Sequence, residues 1–375
     1  MVYRVIGLMS GSSLDGLDIA FVEFHENAGT WTYEIKETDC LAYSQDWVQK
    51  LKSATSLMAQ DYQLLHVDYG HYIGQLVNGF IEKYQLNYQV ALIASHGHTS
   101  FHIPSRKMTA QLGDGASIAA ETQLPVVSDL RALDVALGGQ GAPIVPVGER
   151  LLLGTYTWFL NLGGIANLSL NASRLEGATG PIAFDVCAAN RVLNMLAAET
   201  GNPFDEGGKL AASGNLVGEM LDQLNGLDFY KQSFPKSLAN DFGTDLIYPL
   251  LKSGIDNPAD ALRTYTEHIA FQVKRSIQMV MEKTANWKNE ELPSRLLCTG
   301  GGAFNNFLVE RLRDHLRELE IEVVVPDSKL VNYKEAMIMA LIGILRWRQE
   351  FNVFSSVTGA QRDSIGGALW IGQEA

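Results

Sequence analysis

The amino-acid sequence predicts a duplicated α/β architecture with a cleft between its two halves. Three observations predict it. Each half opens with short apolar, strand-like runs joined by a glycine turn. Each then alternates strand with helix. A loop rich in chain-breaking residues, Gly138-Gly-Gln-Gly-Ala-Pro143, separates them. No sequence repeat accompanies this layout, so the duplication rests on the order of elements alone. A chain of 375 residues is long enough for two or three domains. The expected division is residues 1–135 together with about 345–375, and residues 136–344.

In the first half, residues 3–24 read as two strands and 31–41 as a third, a β-meander. Leu64, Leu65, Val67, Tyr72, Ile73, Leu76, Val77 and Phe80 recur at helical spacing and predict a helix over 61–84. A short buried strand at 90–94 ends in Ser95-His96-Gly97-His98. A helix at 115–122 and a strand at 125–127 follow. In the second half, a strand at 157–160 ends in Asn161-Leu-Gly163-Gly164, and further strands are expected at 166–170 and 181–184, the last ending at Asp185. Helices at about 188–200 and 258–284 lead to a strand at 296–298, which ends in Gly300-Gly301-Gly302. A helix after Phe304 and a last helix over 334–349 complete the pattern.

The composition is 46% hydrophobic and 19% charged, that of an ordinary globular protein able to bury real cores. The formal net charge of -13 argues against a nucleic-acid partner, which usually needs a basic face. It leaves phosphate ligands open, because backbone N–H groups and a metal can hold them. Cys40, Cys187 and Cys298 are odd in number, far apart and without metal spacing, so they read as reduced, buried thiols of a cytoplasmic protein. The N-terminus lacks a signal-peptide layout, and no apolar run is long enough to span a bilayer.

The stretch richest in chemistry is Gly7-Leu-Met-Ser-Gly11-Ser12-Ser13-Leu14-Asp15-Gly16-Leu17-Asp18. A glycine- and serine-rich turn between strands gathers N–H groups and hydroxyls at one point, which suits phosphate. Asp15 and Asp18 add acceptors for Mg2+ or its waters. Two more glycine turns stand at strand ends, Asn161 to Gly164 and Gly300 to Gly302. Each alone is an ordinary turn; three across both halves favour ATP clamped between domains. The first would hold the β- and γ-phosphates, Asn161, Gly163 and Gly164 would face it, and Gly300, Gly301 and Gly302 would pass by the α-phosphate and adenosine.

Asp185 reads either as a general base at the end of a buried strand or as the N-cap of the next helix. His96, His98 and His102 could include a metal pair, but no acidic or cysteine partner stands at suitable spacing, so His96 reads as a polar contact to substrate or loop. Arg131 could meet an anionic substrate group or pair with Asp129 or Asp134. Glu335, at the expected start of the last helix, reads as a capping or surface residue, with a role in the cleft as the other possibility.

Taken together these motifs resemble the anhydro-N-acetylmuramic acid kinases of bacterial cell-wall recycling, over nearly the whole chain. The opening Gly7–Asp18 stretch matches that family's signature, with Ser12-Ser13 where Thr-Ser is usual. Ser95-His96-Gly97 matches, with His98 where glutamine is common. Gln111-Leu-Gly-Asp114, Asp129-Leu-Arg131, Gly138 to Pro146, Asn161 to Asn167, Gly300 to Gly302 and Lys334-Glu335-Ala336 follow in the family's order. The resemblance implies an actin- and hexokinase-like fold of two ribonuclease-H-like domains with ATP in the cleft, and a homodimer. It implies that water attacks the anomeric carbon of a 1,6-anhydro sugar while ATP phosphorylates the released 6-oxygen, with Asp185 activating the water. His96, Arg131, Asn190 and Glu335 are the implied sugar-side residues.

One departure bears on substrate identity. The family usually has Asp-Thr-Gly-Pro-Gly-Asn at the catalytic loop; here it reads Asp185-Val186-Cys187-Ala188-Ala189-Asn190. Three readings follow: a kinase for anhydro-N-acetylmuramic acid, a kinase for another anhydro sugar such as levoglucosan, or a non-catalytic ATP-binding regulatory or chaperone-like protein on the same fold.

Overall fold

The computed structural model describes residues 1–11, 14–171, 181–239, 241–283 and 294–372. In chain order the strands are β1 (Val2–Ser10), β2 (Gly16–Asn27), β3 (Thr30–Ala42), β4 (Leu92–Ser95), β5 (His98–Ile103), β6 (Met108–Leu112), β7 (Val126–Ser128), β8 (Trp158–Leu162), β9 (Ile165–Leu170), β10 (Ile182–Ala188), β11 (Ser294–Thr299), β12 (Ile321–Val324) and β13 (Ala368–Trp370). The chain divides into two units, Met1–Leu153 with Tyr333–Ala375, and Gly154–Asn332.

Both unit boundaries lie away from the expected ones at 135/136 and 344/345. The reason is packing. In helix Pro146–Leu152, Gly148 lies against Ile338 and Glu149 pairs with Lys334. In helix Ser328–Trp347, Ala336 lies against Gly7 of β1 and Gly343 against Ala94 of β4. A Cβ at Gly7 would overlap the Ala336 carbonyl, so this glycine is what lets helix and strand approach. The two segments are thereby fastened to the first sheet.

In the first unit the sheet order is β13-β7-β4-β1-β2-β3. Strands β1, β2 and β3 are antiparallel, β4 and β7 run parallel to β1, and β13 closes the edge antiparallel to β7. In the second unit the order is β10-β9-β8-β11-β12, with β8, β9 and β10 antiparallel and β11 and β12 parallel to β8. Leaving out β13, the two sheets share one strand order and one pattern of directions, the ribonuclease-H-like one. The duplication that no sequence repeat reveals is present as topology.

The central strands explain themselves. Val5, Ile6, Gly7 and Leu8 are all buried, as expected of a strand covered on both faces. Ile6 and Leu8 join a core with Tyr69, Ile73, Val77 and Phe80 of helix Ala59–Lys83, whose spacing gives one apolar stripe. In the second unit Trp158, Leu160 and Leu162 alternate inward against Leu262, Tyr265, Ile269, Val273, Ile277 and Val280 of helix Pro258–Lys283. The hairpin β5–β6 and the short edge strands β12 and β13 are not among the elements the sequence pattern predicts.

Candidate functional site

Each unit carries a cavity at the carboxyl ends of its parallel strands, where open α/β sheets bind ligands. In the first unit the cavity is about 330 Å³ and is lined by Met9, Ser10 and Gly11 after β1, His96, His98 and Thr99 after β4, and Arg131 after β7, with Glu335 and Met339 from the last helix. Of the expected sugar-side residues, His96, Arg131 and Glu335 therefore meet in one place.

Arg131 does not pair with Asp129 or Asp134. Its Nε donates to the Gly141 carbonyl at 2.7 Å and Nη1 to the Thr99 hydroxyl at 3.0 Å. Asp134 instead accepts from Gly141 N–H and the Thr358 hydroxyl, each at 2.7 Å. Among the described residues no carboxylate lies within 4.0 Å of the guanidinium. Burial pulls its pKa down to about 10, opposed by the charge of Asp134, which lies beyond contact distance. An anionic substrate group would supply a counter-charge in direct contact. His96 is also buried. Burial, and secondarily Arg131, lowers its pKa to about 4, so the imidazole is neutral. Its Nδ1 lies 2.9 Å from the Gly97 carbonyl, which can only accept. The proton is therefore on Nδ1, and Nε2 is an acceptor.

Two expectations at this cavity change. Helix Ser328–Trp347 starts before Lys334, so Glu335 is an interior helical residue on the cavity wall, not a capping or surface residue. The three histidines do not share a metal-binding face. Gly97, at φ 69°, breaks the chain between β4 and β5, and Nδ1 of His96, His98 and His102 meets Gly97, Ser10 and Thr109 respectively.

The glycine hairpin of this unit joins β1 to β2, with Ser10 opposite Leu17 and Met9 opposite Asp18. Gly11, Leu14 and Asp15 form its described turn; Ser12 and Ser13 lie outside the described residues. Leu14 takes φ 58°, and Asp15 Oδ1 accepts from the Gly16 N–H at 3.0 Å. Gly16 and Leu17 have roles in the hairpin's own fold. Gly16 lies against the Leu41 carbonyl of β3, and Leu17 belongs to the core, so both serve to fold the hairpin. Asp18 points the other way. Its pKa is raised to about 6 by burial, opposed by the Cys40 thiol donor and reinforced by Asp15 and Glu335. Among the described residues no lysine or arginine lies within 4.0 Å of it. Two carboxylates of this kind fit Mg2+, which takes one or two protein carboxylates and fills its other positions with phosphate oxygens and water. Among the described residues no three His, Cys, Asp or Glu side chains form a closed metal cage.

In the second unit the matching hairpin joins β8 to β9 through Gly163 and Gly164. Cβ atoms added there would meet nothing closer than 3.6 Å and 3.8 Å, so the fold does not require glycine at either position, and a close ligand would. Gly300 and Gly302 are different. Gly300 has φ 80°, and a Cβ there would overlap Asn161; one on Gly302 would press on Leu162 at 2.7 Å. Asn161 is therefore a buttress of the third glycine turn. Gly301 is open and, with Gly302, Asn190, Asn194, Phe204, Lys209 and Phe304, lines a cavity of about 640 Å³, a volume suited to a nucleotide-sized ligand.

Within the second unit Asn190 stands beside the glycine turns. It starts helix Asn190–Ala198, its Nδ2 donates to the Leu162 carbonyl at 2.8 Å, and its backbone N–H donates to Gly163 at 3.1 Å. Phe204 and Phe304 are wall residues that no sequence signal singles out.

Asp185 is not a helix cap: the cap position of that helix is Ala189, without a side-chain bond. Strand β10 runs on through Asp185 to Ala188, with a bulge between Asp185 and Cys187. The carboxylate is held from three sides. Asn167 Nδ2 donates to Oδ1 at 3.0 Å; the Leu238 N–H and the Ser237 hydroxyl donate to Oδ2 at 2.8 Å and 3.1 Å. The side chains between Asp185 and Asn190 point inward: Val186, Cys187, Ala188 and Ala189 are buried in the second core. Burial pushes the Cys187 thiol pKa up, so it is packing and not a nucleophile. Cys298 is buried as well, whereas Cys40, expected to be buried, is exposed on β3, the outermost strand of its sheet.

Residues 3–372 match the family model for anhydro-N-acetylmuramic acid kinase. The curated anhydro-N-acetylmuramic acid kinases of Francisella tularensis subsp. novicida, Aliivibrio fischeri and Haemophilus influenzae are 32%, 31% and 30% identical to this chain. The alignments cover 97%, 98% and 97% of this chain and 97%, 99% and 97% of theirs. Among solved structures, component A of the Acidaminococcus fermentans (R)-2-hydroxyglutaryl-CoA dehydratase is similar over 91% of this chain and 97% of its own, with 15% identity and a TM-score of 0.45.

Proposed function

We propose, for a chain that belongs to the anhydro-N-acetylmuramic acid kinase family, that it opens 1,6-anhydro-N-acetylmuramic acid with water and phosphorylates the 6-oxygen from ATP, yielding N-acetylmuramic acid 6-phosphate and ADP. The full-length family match carries the activity. The three-point fixation of Asp185 supports its role as base.

In this reading the first unit takes the sugar. Arg131 meets its carboxylate, and His96 accepts from a substrate N–H or O–H. The second unit takes the adenosine side at Gly301 and Gly302, with Gly163 and Gly164 open to the phosphates. Asp185 takes a proton from water; the water oxygen bonds to the anomeric carbon; the bond from that carbon to the bridging oxygen breaks. The freed 6-oxygen attacks the γ-phosphorus, and the bond to the β-phosphate oxygen breaks. No covalent enzyme intermediate is needed. Asp15 and Asp18 are the residues that would hold Mg2+, which when bound stabilises charge on the transferring phosphoryl group. A cytoplasmic homodimer serving cell-wall recycling completes the proposal.

The test is ADP release from ATP and magnesium with no sugar, with anhydro-N-acetylmuramic acid and with levoglucosan, followed by product mass. Turnover with the muramic sugar alone, with a mass gain of one water and one phosphate group, is the expected result. Turnover with levoglucosan alone would overturn the substrate. ATP binding without turnover on either sugar would overturn the activity.

A further inference from the structure

The start of helix Asn190–Ala198 is bonded to the open glycine turn of the second unit, and this sets a cation beside the turn. Asn190 Nδ2 donates to the Leu162 carbonyl at 2.8 Å, the Asn190 N–H to the Gly163 carbonyl at 3.1 Å, and the Ala189 N–H to the Gly164 carbonyl at 2.8 Å. Three successive carbonyls of the turn therefore face the helix start. In a trans peptide the N–H points opposite to the carbonyl of the preceding residue. The N–H groups of Gly163 and Gly164 thus point away from the helix. Among the described residues neither of them has a hydrogen-bond partner. Adjacent unpaired N–H groups in a turn make a cradle for an anion.

Arg191 is the next residue of the helix. Its side chain runs along Gly164: a Cβ added to that glycine would lie 3.8 Å from Arg191 Nε and 3.9 Å from Nη2. The space that the glycine keeps open is thus walled by a guanidinium. Gly164 is exposed and Arg191 half-buried, so a ligand in that space reaches both. A phosphate group that accepts from the two N–H groups lies within one side-chain length of the guanidinium. Five N–H donors let an arginine keep a protein partner and still meet a phosphate oxygen. The helix terminus is not itself the cradle, because its first N–H groups are taken by the turn.

We propose that Arg191 is a catalytic residue of phosphoryl transfer: its guanidinium bonds an oxygen of the terminal phosphates of ATP, held over the Gly163 and Gly164 N–H groups, and offsets the negative charge that spreads over the transferring phosphoryl oxygens. This rests on the second unit's glycine turn being the phosphate turn of a kinase. Arginine suits the role because it stays charged and offers parallel N–H donors to a phosphate.

The experiment measures calorimetric binding of a non-hydrolysable ATP analogue with magnesium, and of AMP, to the full chain and its variants, together with ATP kinetics on anhydro-N-acetylmuramic acid. Arg191→Gln keeps a polar side chain and removes the charge. It should weaken the ATP analogue roughly tenfold or more, leave AMP within about twofold of wild type, and lower kcat by about 10²-fold. Arg191→Lys keeps the charge but loses the fork, and should recover part of the analogue affinity and less of the rate. Gly164→Ala covers the case in which Arg191→Gln fails to fold: it fills the space between the glycine and the guanidinium, and should weaken the analogue but not AMP. Added salt should weaken the analogue more steeply in wild type than in Arg191→Gln, a readout that a merely structural role would not move. An Arg191→Gln variant that folds and binds the analogue as tightly as wild type overturns the inference, as does one that loses the analogue and AMP equally. A wild type that binds the analogue with the expected dependence on Arg191, but turns over no anhydro sugar, overturns the functional reading and leaves the phosphate contact standing.

Discussion

Lys334 Nζ donates to Glu149 Oε1 at 2.8 Å, with the two side chains only 3% and 5% exposed. The pair ties helix Pro146–Leu152 to the helix that carries Glu335, one residue further on. Buried ion pairs of this kind are not strong net stabilisers, but breaking one from a single side leaves an uncompensated charge in the interior. Lys334→Met should therefore cost about 3–5 kcal/mol in urea denaturation. The double variant Lys334→Met/Glu149→Leu should recover most of it. A single variant within about 1 kcal/mol of wild type would mean that water or another group reaches Glu149.

The glycines of the second unit separate into two kinds, and substitution tells them apart. Gly300→Ala puts a side chain on a residue at φ 80° and into Asn161, so it should lower stability by about 1–3 kcal/mol. Gly163→Ala has open space and should leave stability within about 0.5 kcal/mol of wild type. Its effect should fall on the nucleotide, as a raised KM for ATP. Thermal unfolding and ATP kinetics of both variants check the contrast. Equal destabilisation by the two would remove the argument that Gly163 is there for a ligand.

Asp185→Asn tests the base. Removing the carboxylate should lower kcat by about 10²–10⁴, the range of general base catalysis, with ATP affinity retained. The same change turns one carboxylate oxygen into an amide N–H₂ among three donors, so Tm should fall as well. Paired Asn167→Ala and Ser237→Ala variants separate the effects. They loosen the carboxylate without removing it, and should reduce kcat by less than Asp185→Asn. If Asp185→Asn turns over as wild type does, Asp185 is a structural acceptor and the base lies elsewhere.

Much of the fold is legible in the sequence because its informative signals are local. A glycine turn between two apolar runs reads directly as the β1–β2 or β8–β9 hairpin, and helical spacing reads directly as helix Ala59–Lys83. What is not legible depends on contacts distant in sequence. Strands β12 and β13 are four and three residues long, too short to show a period. Whether Asp185 caps a helix or stands free depends on β10 continuing past it, which its pairing with Asn167 decides. The same holds for the site. Arg131 could have paired with Asp134 by sequence proximity, but Asp134 is taken by Gly141 and Thr358. Asn190 belongs to the glycine turns because Leu162, 28 residues earlier, accepts its amide.

Acid should loosen the second unit through His268. This ring is fully buried, with Nδ1 at 2.8 Å from Asn225 Oδ1, a stacked contact with Tyr265, and Nε2 without a hydrogen-bond partner among the described residues. Burial depresses its pKa from 6.5 to about 3. Between those values the unfolded chain binds a proton that the folded chain refuses, so stability rises with pH across that window and levels off above it. Going from pH 7 to pH 5 should cost about 2 kcal/mol from this one group. His268→Gln should flatten that part of the stability–pH curve. An unchanged slope would show that the folded protein takes up the proton after all.

Arg131 separates anionic from neutral sugars. Its Nε and Nη1 are held by Gly141 and Thr99, and it lines the cavity without a carboxylate within 4.0 Å among the described residues. A buried cation in that state is stabilised by a substrate carboxylate more than by any neutral group, because the ligand adds a counter-charge in contact with the guanidinium, beyond the more distant Asp134. Arg131→Ala should therefore raise KM for anhydro-N-acetylmuramic acid by about 10²-fold, and change binding of a sugar without a carboxylate by much less. Arg131→Lys keeps the charge but loses the fork that bonds Gly141 and Thr99 together, and should recover only part of the loss. Steady-state kinetics and calorimetry on both sugars decide it. Equal losses on charged and neutral sugars would assign Arg131 to holding the Gly141 loop in place, not to reading the substrate.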